Sequence, residues 1–162
     1  MENNGVKAFK TQTLKSTAFL ACFCLFLIFL CCFYCSKNVL FASESGKYTF
    51  YLYSRSSNSK IVSVDASVAK QTRLQLKSVK GQSLRLDREK NNGENLLFIN
   101  RQLKSKRAKL ILCESGEWGE SSYYFSPLIA NWVVIGGKKV NLQVVNTADS
   151  IIIGSPIIFG SF

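Results

Sequence analysis

Residues 131–145 read NWVVIGGKKVNLQVV. Gly136-Gly137 sits between two β-branched runs. A Gly-Gly pair in that setting predicts a two-residue hairpin, because both turn residues need positive φ. Strands are expected over Asn131–Ile135 and Lys139–Val145. Working upstream, Ser122–Ser126 (SYYFS) predicts a strand stopped by Pro127. Lys109–Cys113 is a short apolar strand, and Gly116 and Gly119 in CESGEWGES place a turn between the two. Downstream, Ser150–Ile153 and Ile157–Phe159 are further strand candidates, the first read as a central strand that turns at Gly154-Ser155-Pro156. Lys47–Tyr53 (KYTFYLY) alternates aromatics with other residues, as a strand does. Leu74–Val79 and Ser83–Asp87 flank Lys80-Gly81-Gln82, which reads as a turn.

Helices are fewer. Asn92 is a candidate cap, Glu94 suits the positive end of a helix dipole, and Leu96, Ile99 and Leu103 predict one buried stripe. Lys104, Lys106 and Arg107 then fall at the end that favours cations. A second helix is read from Asp65 through Val68 and Thr72. The fold class is α+β: one N-terminal transmembrane helix, then a small antiparallel sheet with one or two helices packed on one face.

The transmembrane expectation rests on Ser16–Ser36, STAFLACFCLFLIFLCCFYCS, which carries no charge. A helix of ~20 residues spans the ~30 Å hydrocarbon core of a bilayer. The alternative is the core of a signal peptide, but the segment is longer than the usual ~7–15 residues, and the best cleavage site after it, Leu40-Phe41-Ala42, has a poor upstream residue, so an uncleaved anchor is favoured. Lys7, Lys10 and Lys15 precede it and keep the N-terminus inside. The expected organisation is residues 1–15 cytoplasmic, 16–36 anchor, 37–46 a Ser-rich tether and 47–162 an outer domain. The protein is thus placed in the plasma membrane, crossing once. Cys22, Cys24, Cys31, Cys32 and Cys35 read as small apolar residues in lipid. The outer domain keeps only Cys113, which follows Leu110-Ile111-Leu112 and is expected as a buried strand thiol.

The net charge is +11, and most of it is local. Residues 70–109 hold twelve cations against three acids, whereas residues 110–162 are faintly acidic. Such a band points to an anionic partner: membrane lipid, an anionic wall polymer or an acidic envelope protein. The candidate anion-binding residues are Arg101, Lys104, Lys106, Arg107 and Lys109, with Arg85 and Arg88. Nucleic acid is not favoured. The aromatics Tyr48, Phe50, Tyr51 and Tyr53 precede the band instead of interleaving with it, and binding would require a cytosolic domain.

The chain has no histidine, which removes Ser-His-Asp and Cys-His arrangements and histidine-ligated metals. No Walker loop or GxGxxG occurs. Glu114, Glu117 and Glu120 recur at three-residue spacing but lie where a turn is expected. No cofactor or metal is expected. The leading reading is a non-enzymatic binding or accessory protein. The alternatives are an envelope-acting enzyme with an unidentified site, and a nucleic-acid binder.

The stretches YYFSP, VVIGGKKVNLQVV and IIIGSPIIFGSF, within Tyr123–Phe162, resemble the C-terminal part of the YwmB-like proteins of Gram-positive bacteria. The resemblance implies a small exported or membrane-tethered protein, with an antiparallel sheet backed by helices in a fold likened to the TATA-box-binding protein. It implies no activity and no catalytic residue.

Overall fold

A computed structural model describes residues 18–30, 38–52 and 61–159. The chain divides into two units, Met1–Asn38 and Val39–Phe162. In the first unit, residues 18–30 form a helix, α1. Phe19, Leu20, Phe23 and every residue from Leu25 to Phe29 are exposed on it, so it is apolar all round. Among the described residues no helix is long and apolar enough to cross a membrane. The flanks of the expected span, residues 16–17 and 31–36, lie outside the described residues, as do Cys31, Cys32, Cys35 and Tyr53.

The second unit is α+β. Its strands are β1 (Lys47–Tyr51), β2 (Ile61–Asp65), β3 (Gly81–Asp87), β4 (Lys109–Gly116), β5 (Gly119–Phe125), β6 (Val133–Ile135), β7 (Lys138–Val140), β8 (Leu142–Asn146) and β9 (Ser150–Ser155). A 3-10 turn, Ala66–Val68, leads into α2 (Ala69–Gln75), and α3 (Arg88–Ser105) follows β3. Seven strands form one antiparallel sheet in the order β2-β1-β3-β9-β8-β5-β4, while β6 and β7 pair separately.

Strand alternation sorts the side chains. Tyr48 and Phe50 of β1, Leu84 and Leu86 of β3, Ile151 and Ile153 of β9 and Leu142 of β8 form one cluster with Ala69 of α2 and Ile99 of α3. Both helices therefore cover the same face, as their sharing of one core requires. On the opposite face, Phe159 meets Tyr51 edge-on, with ring centroids 5.2 Å apart. The Ile158 amide donates to Gln143 Oε1 (2.9 Å), and Gln143 Nε2 donates to Ser121 Oγ (2.8 Å).

β9 is the central strand expected from IIIG, and the chain turns after it at Pro156. Ile157–Phe159 forms no strand. The Gly136-Gly137 hairpin is present, with φ of 55° and 76° and Ile135 opposite Lys138. The single strand expected over Lys139–Val145 is instead broken at Asn141. The fully buried Asn141 amide donates to the Ser126 and Ile129 carbonyls (2.7 and 2.9 Å) and accepts from the Ser126 amide (2.7 Å). That knot sends β7 to the small sheet and β8 to the large one.

Several elements differ from expectation. Leu74–Val79 is not a strand, and Lys80-Gly81-Gln82 is not a hairpin turn, because β3 starts at Gly81 and pairs with β1 and β9. Ala66, Ala69 and Arg73 are buried at helical spacing and Leu76 packs beside the core, so the helical period overrides the Leu74/Leu76 alternation; Leu74 is exposed. β2 is a strand that the sequence reading did not include. α3 begins at Arg88, one turn before Asn92, because Asp87 ends β3 in extended backbone and the Arg88 amide donates to the Asp149 carbonyl (2.9 Å). The stripe is shifted too: Ile99 is buried and Leu103 half-buried, but Leu96 is exposed and Phe98 packs in its place.

The stretch read as a tether contributes to the core. Phe41 is fully buried, and Val39 and Leu40 pack beside it. Tyr48 Oη accepts from the Leu40 and Phe41 amides (3.1 and 3.3 Å) and donates to Gln82 Oε1 (2.6 Å). Two adjacent strands thus clamp the incoming chain.

Candidate functional site

The end of α3 is a Schellman turn. The Ala108 amide donates to the Leu103 carbonyl (2.9 Å), and the Arg107 amide to the Lys104 carbonyl (3.0 Å). The residue between helix and strand must then take the left-handed conformation, for which Gly is the usual solution. Here Arg107 takes it, at φ 51°. A side chain in that conformation costs roughly 1–2 kcal/mol relative to ordinary backbone. The turn buries its apolar flank, since Leu103 and Ala108 both pack against the core, and it leaves the Arg107 side chain exposed.

Arg101, Lys104 and Lys109 are exposed around it. Arg101 and Lys104 are three residues apart, hence neighbours on the helix surface. Lys109 opens β4, an edge strand, opposite Phe125 on the sheet face away from the helices. No acid lies between residues 101 and 109. Lys106 is different. It is half-buried, its Nζ donates to Gln102 Oε1 (2.7 Å) and sits 5.5 Å from the centre of the Phe41 ring. Burial holds its ammonium below the ordinary lysine value. The Lys106 carbonyl accepts from Ser126 Oγ (2.5 Å), which ties the turn to the chain after β5.

The rest of the predicted band is dispersed. Arg88 starts α3, and 18 helical residues at ~1.5 Å each put it far from Arg107. Its guanidinium donates to the Thr147 carbonyl (2.9 Å). Arg85 pairs with Lys47 across β3 and β1 on the sheet face away from the helices. Arg73 is buried beside the core, which lowers its pKa; the nearby Tyr48 opposes that shift.

Cys113 is exposed, not buried. β4 is an edge strand, and although its register shift between Leu110 and Leu112 puts Cys113 on the core side with Ser122, its residues from Cys113 to Gly116 are exposed on both faces. Its Sγ donates to Glu120 Oε1 (3.2 Å). Glu114 accepts from Tyr123 Oη (3.0 Å). Glu114 pairs with Ser121 and Glu120 with Asn146, so the two carboxylates point to opposite faces of the sheet. Among the described residues no group of three or more Cys, Asp or Glu could hold a metal ion.

Family models, curated proteins and solved structures all give no match.

A second feature went unseen in the sequence. An open cleft of about 540 Å³ lies where residues 79–80, 130–133 and 156–159 meet. Trp132 lines it while remaining 47% exposed, with Lys139 Nζ 4.2 Å from its ring centre. The available signal was the absence of acids from residues 126–141, which surround the only tryptophan outside the 116–119 turn.

Proposed function

We propose that this chain is a non-enzymatic accessory protein of the cell envelope, anchored by an N-terminal transmembrane helix over 16–36. Its outer domain holds an anionic partner at the C-terminal end of α3. The observation that carries this reading is Arg107, an exposed cation kept in a backbone conformation where glycine is unstrained. Such local strain is a pointer to function. Arg101 and Lys104 are exposed on the last turns before Arg107, and Lys109 is exposed just after it, in a run of sequence without an acid.

The all-round apolar surface of α1 supports the anchor. The burial of Phe41 argues against cleavage after Ala42, which would strip Val39, Leu40 and Phe41 from the core. The resemblance of residues 123–162 to the YwmB-like proteins fits an exported or tethered chain. Anionic lipid is the first partner to test, ahead of wall polymer and acidic envelope proteins.

The test is sedimentation of the full chain with vesicles of anionic or neutral lipid. Each cation near an anionic surface contributes about 1 kcal/mol, so reversing Arg101, Lys104, Arg107 and Lys109 to Glu weakens binding on the order of a thousandfold. Binding also falls with salt, as screening requires. Unchanged binding by the four-fold variant, at matched thermal stability and low salt, rejects the proposal.

A further inference from the structure

The Trp132 cleft is built from residues 79–80, 130–133 and 156–159, which contain no Asp or Glu and carry one cation, Lys80. Lys80, Asn131, Trp132 and Phe159 line the cleft. Its volume lies in the range of small-molecule sites, which runs from about 300 to 1,000 Å³. An indole that stays half-exposed offers a flat face with negative quadrupole, suited to the weakly positive C–H face of a ring. The ammonium of Lys139 sits over one face of that ring at 4.2 Å and leaves the other face for a ligand. Lys80 adds a second cation and Asn131 a neutral donor and acceptor.

We infer that this cleft binds an acidic sugar unit, with the pyranose ring stacked on Trp132 and its carboxylate held by Lys80. The site is distinct from the end of α3 and does not depend on the reading given to that surface.

Trp132 is its own reporter. The chain has two tryptophans, and Trp118→Phe leaves Trp132 as the sole indole emitter. The full chain, in a polyoxyethylene detergent that carries no sugar, is titrated with tetragalacturonate, with neutral maltotetraose and with inorganic phosphate at equal ionic strength. Tetragalacturonate is expected to shift the emission saturably and to bind at least about tenfold more tightly than either control, the equivalent of losing one charge-assisted contact. Lys80→Gln lowers that affinity about tenfold, and Trp132→Ala abolishes binding by calorimetry. Lys80 is exposed, so Lys80→Gln reports even if Trp132→Ala fails to fold. Reversing Arg101, Lys104 and Arg107 leaves the titration within about twofold, which separates this site from the lipid-facing surface. Three outcomes overturn the inference: maltotetraose or phosphate binding as tightly as tetragalacturonate, no effect of Lys80→Gln, or no saturable response at all.

Discussion

Phe41 joins the core without belonging to any regular element, and the Tyr48–Gln82 pair makes that possible by taking up the backbone amides beside it. Phe41→Ala is expected to lower stability by roughly 3–5 kcal/mol, the range for emptying a buried aromatic site, read as a fall in denaturation midpoint. Tyr48 and Tyr51 add a pH dependence. Burial raises both above the ordinary tyrosine value of 10.0. The folded state therefore holds those protons more tightly than the unfolded chain. Their contribution is fully present below pH 10 and is lost as pH rises past it toward the raised folded values. Alkaline titration of Tm should fall steeply above pH 10, and Tyr48→Phe should flatten that fall even though it weakens the fold at neutral pH. Little of this was legible beforehand. Val39-Leu40-Phe41 is an apolar triplet, but the Ser-rich surroundings read as a tether, and no local rule says that a tyrosine 34 residues from Gln82 will meet it.

At the scale of elements, the end of α3 was readable because its last-turn cations and its apolar period agree with each other. The start was not, because the contact that fixes it comes from Asp149 in another turn. α2 was misjudged at Leu74 for a related reason. Two periods fitted the same letters, and only the burial of Ala69 and Arg73 decides between them. β4 shows a third limit: the register shift puts Cys113 on the core side with Ser122 and Val144, yet this end of the edge strand is exposed on both faces, which no local pattern announces. The strained turn after α3 carries its own prediction. Arg107→Gly should raise stability by about 1 kcal/mol, by releasing the side-chain strain at φ 51°, while weakening association with anionic vesicles. A variant that loses stability, or that gains it without losing binding, would separate the turn from the function proposed for it.

For the whole molecule, the α+β class and the mainly antiparallel pairing were accessible because hairpins are local. The order of strands was not, since β3 and β9 are far apart in sequence yet adjacent in the sheet. The anchored reading is tested at this scale. A C-terminally tagged copy in wall-stripped cells should lose its tag to external protease, while untreated copies run at full-length mass. A shortened chain would mean cleavage and would leave a domain without Phe41. A tag protected until lysis would place the domain in the cytosol, and nucleic acid would then be the first partner to try.

The middle position of β9 also bears on biosynthesis. It is the fourth of seven strands in space and the last of them in sequence. Before residues 150–155 exist, β2-β1-β3 and β8-β5-β4 are separate ribbons whose inner edges have no partner. A ribosome that stalls at residue 148, after β8 and before β9, therefore releases two exposed sticky edges instead of a slightly smaller protein, the kind of surface that invites aggregation or proteolysis. Placing the latest strand at the centre makes a finished sheet evidence that translation has passed Ser155.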